Sequence, residues 1–156
     1  MIMKKVFLSL ALCLVTLCAS AQQLKSAEGR LNLRGDDAGF GYGVTFELDD
    51  NFELSPSLSI VFPNNAFVLT TEVDLHYLLP EFVENLEIYP LTGIGFFYKN
   101  WDYDDWPNQS KFLINIGSGA RWHFSDQWAV FAEEKIQFVN SSNTDNYFVT
   151  GISYSF

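Results

Sequence analysis

The feature that most constrains this chain is the strict alternation of its last ten residues, Tyr147–Phe156. Bulky, mostly apolar side chains occupy every second position, namely Phe148, Thr150, Ile152, Tyr154 and Phe156. The positions between them end in small residues, among them Gly151, Ser153 and Ser155. Because strand side chains point to opposite faces with a period of two, this stretch predicts a β-strand with one apolar face.

The same alternation recurs along the chain in eight segments, which turn-forming residues separate. The segments lie near Leu24–Arg34, Gly39–Leu48, Phe52–Phe62, Ala66–Tyr77, Leu86–Tyr98, Lys111–His123, Trp128–Val139 and Asn146–Phe156. Most have about the 9–11 residues that a tilted membrane strand needs. None has the 3.6-residue period of an amphipathic helix. We therefore predict an all-β fold, an eight-stranded antiparallel up-and-down transmembrane β-barrel.

The strands of a secreted β-sandwich would show the same alternation of apolar and polar residues, so this fold stays open as an alternative. The apolar faces favour the barrel, because each runs over five or six positions and is therefore longer than the face of a usual strand in a soluble protein. The tryptophans favour it too, because they lie at segment ends, where membrane barrels carry aromatic girdles. Trp101 and Trp106 fall in one long loop, and Trp122 and Trp128 flank the opposite turn. An export signal and an aromatic residue at position 156 point to the same location.

The first residues have the layout of a secretory signal peptide. Lys4 and Lys5 precede an apolar run that ends at Cys18, and Ala19–Ala21 offers a small-x-small cleavage site. We expect residues 1–21 to be cleaved after Sec export and residues 22–156 to form the barrel domain. Both cysteines lie in the signal, so the mature chain has no disulfide, thiolate metal site or cysteine nucleophile.

The net charge of the mature chain argues against some classes of binding partner. The mature chain keeps all 19 Asp and Glu but only seven Lys and Arg, a net charge of about −12. Such a balance disfavours nucleic acid or an anionic lipid surface as an electrostatic partner. No cofactor is expected.

An even strand number places both termini on the periplasmic side. The periplasmic turns are then residues 49–51, 78–85 and 125–127, and the external loops are 35–38, 63–65, 99–110 and 140–145. The long loop holds candidate external contacts, namely Trp101, Asp102, Tyr103, Asp104, Asp105 and Trp106. Three carboxylates within four residues could coordinate Ca²⁺, but the ordered ligand spacing of a calcium loop is missing. A solvated loop with girdle aromatics is therefore the first expectation, ahead of a binding surface or a metal site.

The whole mature chain resembles the small OmpA/OmpX-type eight-stranded barrels, in particular single-barrel "porin-family" proteins of Bacteroidetes. The matching stretches are LSPSLSIVF, VDLHYLLP, EIYPLTGIGF, NWDYDDW, SKFLINIGSGARW and TGISYSF. This resemblance implies a Gram-negative outer-membrane location, surrounding outer-membrane lipid, and a non-enzymatic role in membrane integrity or surface interaction. It also implies that the barrel-assembly machinery reads the terminal strand through Phe148, Ile152, Tyr154 and Phe156.

Ionisable residues of both signs fall on the inner face of the predicted barrel. They are Glu28, Arg30, Arg34, Glu47, Glu53, Glu72, Asp74, His76, Glu87, Lys111, Arg121, His123, Glu133 and Lys135. Eight strands enclose an interior that is just wide enough for side chains. A charged side chain there must form an ion pair or remain hydrated. We expect a salt-bridge network that plugs the lumen, with a narrow pore for small solutes as the alternative. Glu134 is a misfit on the lipid face, which requires a place near an interface or a β-bulge.

A lipid A-modifying enzyme is a further, less favoured hypothesis. An outer-membrane lipid A deacylase carries a His-x-Ser pair on an eight-stranded barrel, and here His123 and Ser125 share a strand face with Glu133 or Glu134 following. That face is the lumen, however, and Ser125 opens a tight turn. Nucleophile, base and acid must lie in mutual reach, so we expect no enzyme and interpret Ser125 as a turn residue.

Overall fold

The structure is a computed structural model that describes residues 23–101, 107–139 and 143–156, except for the side chains of Trp101 and Asn143. Its eight strands are β1 (Gln23–Arg34), β2 (Asp37–Glu47), β3 (Phe52–Val61), β4 (Ala66–Tyr77), β5 (Leu86–Trp101), β6 (Gln109–His123), β7 (Trp128–Val139) and β8 (Asn143–Ser155). Each strand pairs antiparallel with the next, and β8 pairs with β1, which closes the barrel. The predicted fold class is confirmed. Within these ranges no helix is long and apolar enough to cross a membrane.

Three of the predicted external loops are longer than the gaps between the observed strands, because the strands stay paired beyond their last apolar residues. Lys99 pairs with Gln109 in the β5–β6 hairpin. Arg34 pairs with Asp37, which leaves a two-residue turn in which Gly35 has a φ of 58°. A positive φ is a conformation that glycine adopts at no steric cost. β8 also begins earlier than predicted, at Asn143.

The barrel has two distinct ends. The terminal end holds the start of β1, the end of β8 and the connections 48–51, 78–85 and 124–127. The loop end holds the connections 35–36 and 62–65, the end of β5, the start of β6, the end of β7 and the start of β8. The signal segment 1–21 and the acidic residues 102–106 lie outside the described residues.

The outer surface of the barrel is apolar. Phe40 is 69% exposed, and Ile116 and Ile152 are each about half exposed. Aromatic rings collect at the terminal end, where Trp128 contacts Tyr154 with ring centroids 5.0 Å apart. The interior, by contrast, buries charged and polar side chains. This inside-out arrangement excludes the sandwich alternative, in which the large apolar side chains would form a dry core, and it is the arrangement of a membrane barrel.

A β-bulge interrupts the sheet at the start of β1. The β1–β2 register shifts between Leu24 and Ser26, so Lys25 is an extra residue without a cross-strand partner on β2. A bulge re-aims its side chain, and here the Lys25 ammonium reaches Glu53 and Glu87 on the inner face. Sequence alternation alone did not place Lys25 in the lumen.

Glu134 lies on the outer face, as the alternation predicted, and the bulge offered as one explanation for it is not present. The β6–β7 and β7–β8 registers run without a shift past Glu134, so there is no bulge. Glu134 is six residues from Trp128 at one end of β7 and five from Val139 at the other, which places it in the middle of the strand. Its cross-strand neighbours are Ser118 and Phe148.

Candidate functional site

Small residues on the inner face leave space beside two large side chains of the lumen. A Cβ atom added to Gly119 would lie 2.6 Å from the ring of Tyr89, and one added to Gly151 would lie 2.9 Å from the ring of Phe131. Interiors are packed at the density of organic crystals, so a large side chain needs a gap opposite it. The inward glycines therefore allow Tyr89 and Phe131 to lie across the barrel.

At the terminal end, Arg121 on β6 is the centre of a cluster of carboxylates. Its Nη1 atom lies 2.7 Å from Oε2 of Glu87 and 3.3 Å from Oε2 of Glu53. Lys25 binds the same two carboxylates. His123 faces this cluster too, with Nε2 3.3 Å from Oε2 of Glu87.

Halfway along the lumen, Arg30 on β1 pairs with Glu133 on β7. Tyr89 donates its hydroxyl hydrogen to Glu133 over 3.0 Å. The His76 ring stacks on Tyr89 at 4.5 Å between centroids, and its two nitrogens lie 3.8 Å from Glu53 and 3.9 Å from Glu133. His76 thus sits between the terminal-end cluster and the central pair.

Nearer the loop end, Lys135 on β7 is surrounded by three carboxylates. Its ammonium group pairs with Asp74, with Glu72 at 3.1 Å and with Glu133 at 3.5 Å. Tyr147 donates its hydroxyl hydrogen to Glu72 over 2.6 Å. Two amides complete the cluster: Gln137 donates to Glu72 at 3.2 Å, and Asn115 donates to Asp74 at 3.3 Å.

The three clusters form one continuous network. Glu28 bridges Arg121 at 3.7 Å and Arg30 at 3.5 Å, and Glu133 bridges Arg30 and Lys135. Most of these side chains are almost wholly buried. Among the described residues the network joins six carboxylates, Glu28, Glu53, Glu72, Asp74, Glu87 and Glu133, to four cations, Lys25, Arg30, Arg121 and Lys135. A buried charge is tolerated when it is paired and hydrogen-bonded, and this arrangement supplies both.

Three of the residues predicted for the inner network lie at its margins. Arg34 pairs with Asp145 at 3.4 Å and lies over the Tyr147 ring, 4.7 Å from the centroid. Glu47 and Lys111 make no ion pair with any residue that the structure describes. Arg34, Lys99 and Lys111 line a cavity of about 330 Å³ at the loop end, with Val61 and Phe97 among its apolar walls.

Sequence reasoning missed the neutral members of the network. Tyr89, Asn115, Gln137 and Tyr147 each hydrogen-bond a carboxylate or an amide of the network, yet only charged residues were selected from the sequence. The alternation already placed them on the inner face, so a search for every polar inward residue would have found them. The alternation could not have identified Lys25, because a β-bulge turns its side chain towards the lumen.

The residues weighed for catalysis do not converge. The Trp128 N–H donates to Ser125 Oγ over 3.0 Å, so Ser125 closes the turn. His123 faces Glu87, Glu133 lies in the lumen and Glu134 lies on the opposite face of the sheet. Across the described ranges, no group of three or more His, Cys, Asp or Glu is arranged to hold a metal ion. The candidate contact residues 102–106 fall outside those ranges.

No protein-family model and no curated protein matches this sequence, whereas solved structures do. The N-terminal β-barrel domain of Pseudomonas aeruginosa OprF matches with a TM-score of 0.76 at 19% identity, covering 86% of this chain and 98% of that one. The chain has the fold of a small eight-stranded outer-membrane β-barrel. Ail, the attachment invasion locus protein of Yersinia pestis, matches with a TM-score of 0.61 at 13% identity, covering 85% and 97%. The predicted resemblance is thereby confirmed for the fold.

The fold does not decide the activity. The outer membrane enzyme PagL also matches, with a TM-score of 0.55 at 10% identity, covering 84% of this chain and 98% of PagL. All three neighbours share the barrel fold of this chain. At these identities they say nothing about which residues of this chain act.

Proposed function

We propose that this protein is a non-enzymatic outer-membrane barrel with a structural or surface-interaction role, whose lumen is closed by the charged network. The supporting observation is the unbroken series of ion pairs from Lys25 to Glu72. Side chains from β1, β3, β4, β5, β6 and β7 meet in the lumen rather than standing apart around an open channel. Such a network holds opposite walls together and fills the interior that eight strands enclose.

The proposal includes the route to the membrane. Residues 1–21 act as the Sec signal, and the terminal end faces the periplasm. Phe148, Ile152, Tyr154 and Phe156 project from the outer face of the closing strand, where both lipid and the assembly machinery have access. The segment Trp101–Trp106 is the part of the chain that would contact an external partner.

Single-channel recording in a planar bilayer tests the closed lumen. The intact protein is expected to give no steady conductance, because no side chain of the network is free to move aside without breaking an ion pair. The double variant Glu72→Gln/Asp74→Asn should lower stability without opening a conducting state. Glu47→Gln is the matched control, since Glu47 shares the inner face but makes no ion pair with the described residues. Regular conductance steps from the intact protein would contradict the proposal.

A narrow pore is the second candidate, and two observations favour it. The lumen is polar along most of its length, and its network holds two more carboxylates than cations among the described residues, apart from the histidines. The cavity of about 330 Å³ at the loop end would serve as its mouth. A pore of this kind would prefer cations, and its conductance would change in the Glu72→Gln/Asp74→Asn variant.

A further inference from the structure

The loop end of the barrel holds a concave site outside the inner network. Its cavity of about 330 Å³ is lined by residues from all eight strands, among them Arg34 on β1, Phe97 on β5 and Val139 on β7. Pockets for small molecules begin at about 300 Å³ and combine apolar walls with a few polar groups, and the mouth of a β-barrel is a common place for them. The cavity has both the size and the mixed lining of such a pocket.

The positive charges that the inner network does not use all lie at this cavity. The mature chain has seven Lys and Arg residues, and four of them belong to the network. The other three, Arg34, Lys99 and Lys111, line the cavity, whose acidic lining residues are Asp37 and Asp145. In a mature chain with a net charge of about −12, this lining is a local excess of positive charge.

Two of these cations differ in how firmly they are held. The Arg34 guanidinium pairs with Asp145 at 3.4 Å and lies over the Tyr147 ring, 4.7 Å from the centroid, so its position is fixed. Lys111, by contrast, is half-buried and makes no ion pair with any residue that the structure describes. An anion that enters the cavity can therefore pair with the Lys111 ammonium group without displacing a carboxylate from it.

An apolar wall stands beside Lys111. Phe97 is the direct neighbour of Lys111 across the β5–β6 pair. Val68 on β4 and Val61 on β3 continue the wall, because they face each other across the β3–β4 pair and both line the cavity. A ligand whose charged head meets Lys111 would lay its body against these three side chains, and the removal of apolar surface from water favours that placement.

We propose that this cavity binds a small monoanion with an apolar body, such as an aromatic carboxylate. The carboxylate pairs with Lys111, and the body covers Phe97, Val68 and Val61. One negative charge balances the lining, which then holds three cations and three anions among the described residues. This role goes beyond a structural one, and it holds whether or not the lumen conducts.

Isothermal titration calorimetry on the folded mature chain in phosphatidylcholine nanodiscs tests the ligand class. Phenylacetate carries the proposed head and body, phenethylamine has the same ring with a positive charge, acetate is the head alone, and phenylalanine adds an ammonium group. Phenylacetate should bind at least about tenfold more tightly than each of the others, since each lacks the ring or brings a charge that the lining opposes. Absent phenylacetate binding, or an equal affinity for any of the other three, would refute the proposal.

Substitutions at Lys111 test the contact with the anion. Lys111→Met keeps the apolar stem but loses the charge and should weaken phenylacetate binding about tenfold, whereas Lys111→Arg keeps a cation and should retain most of the affinity. Glu47→Gln, at the other end of the lumen, is the matched control and should bind as the parent does. Heat-modifiable migration in gels shows that each variant is folded. Unweakened binding in Lys111→Met, or equal weakening in Glu47→Gln, would overturn the assignment.

Discussion

Replacing Lys135 with methionine probes the most enclosed cation of the network. The Lys135 side chain has no solvent exposure, and three carboxylates, Glu72, Asp74 and Glu133, lie around its ammonium group. Methionine has nearly the same length and fills the same space, so the change removes charge rather than volume. The three carboxylates would then face one another without the cation between them.

The expected loss follows from the cost of stranding buried charge. Removing one partner of a buried pair typically costs about 3–5 kcal/mol. We take the lower figure, about 3 kcal/mol, because Gln137, Asn115 and Tyr147 still donate hydrogen bonds to Glu72 and Asp74. With a urea dependence of about 2 kcal/mol per molar, the unfolding midpoint should fall by about 1.5 M.

Urea unfolding in detergent micelles, followed by tryptophan fluorescence and by gel migration, measures this shift. Lys111→Met is the matched control, because Lys111 also faces inward but makes no ion pair within the described ranges. Its midpoint should change by less than about 0.5 M, since a partly exposed, unpaired lysine contributes less than about 1 kcal/mol. If both variants unfold at the same urea concentration, the network does not stabilise the barrel as the distances indicate.

Three other changes have definite expected outcomes. Gly119→Ala should destabilise the barrel by about 1–3 kcal/mol in the same urea assay, because its Cβ would press on Tyr89, whereas Gly29→Ala, with nothing within 4 Å, should not. Ser125→Ala should leave lipid A mass spectra unchanged, and a spectral difference that depends on Ser125 would restore the enzyme hypothesis. Deleting Phe156 should reduce the heat-modifiable barrel in outer-membrane fractions, and normal levels would remove its assembly role.

The architecture could be predicted from the sequence because a membrane barrel repeats one simple rule. Each strand must place apolar residues outward at every second position, and a one-residue slip would reverse both faces. Phe148, Ile152 and Tyr154 illustrate this: their alternation fixed the face of β8 without any knowledge of its neighbours. Strand ends were less predictable, since hydrogen bonding in the β5–β6 hairpin continues past the apolar residues to Lys99 and Gln109.

The partners inside the lumen could not be predicted in this way. Alternation says that Arg30 and Glu133 both face inward, but their contact depends on the stagger between strands that are remote in sequence. It gave no sign of the Lys25 bulge, which is a local break in the rule. The mid-strand position of Glu134 did follow from the predicted segment Trp128–Val139, but the absence of a bulge beside it emerged only from the register of β7.

The span of the inner contacts along the chain has a consequence for how the barrel is made. Arg30 and Glu133 are 103 residues apart, and Tyr147 and Glu72 are 75 apart, so neither contact forms until distant hairpins meet. Before closure, each hairpin would expose its charged face together with an unpaired edge. Entry into lipid and ring closure must therefore be one concerted, slow event, because a half-inserted sheet would leave these charges in hydrocarbon.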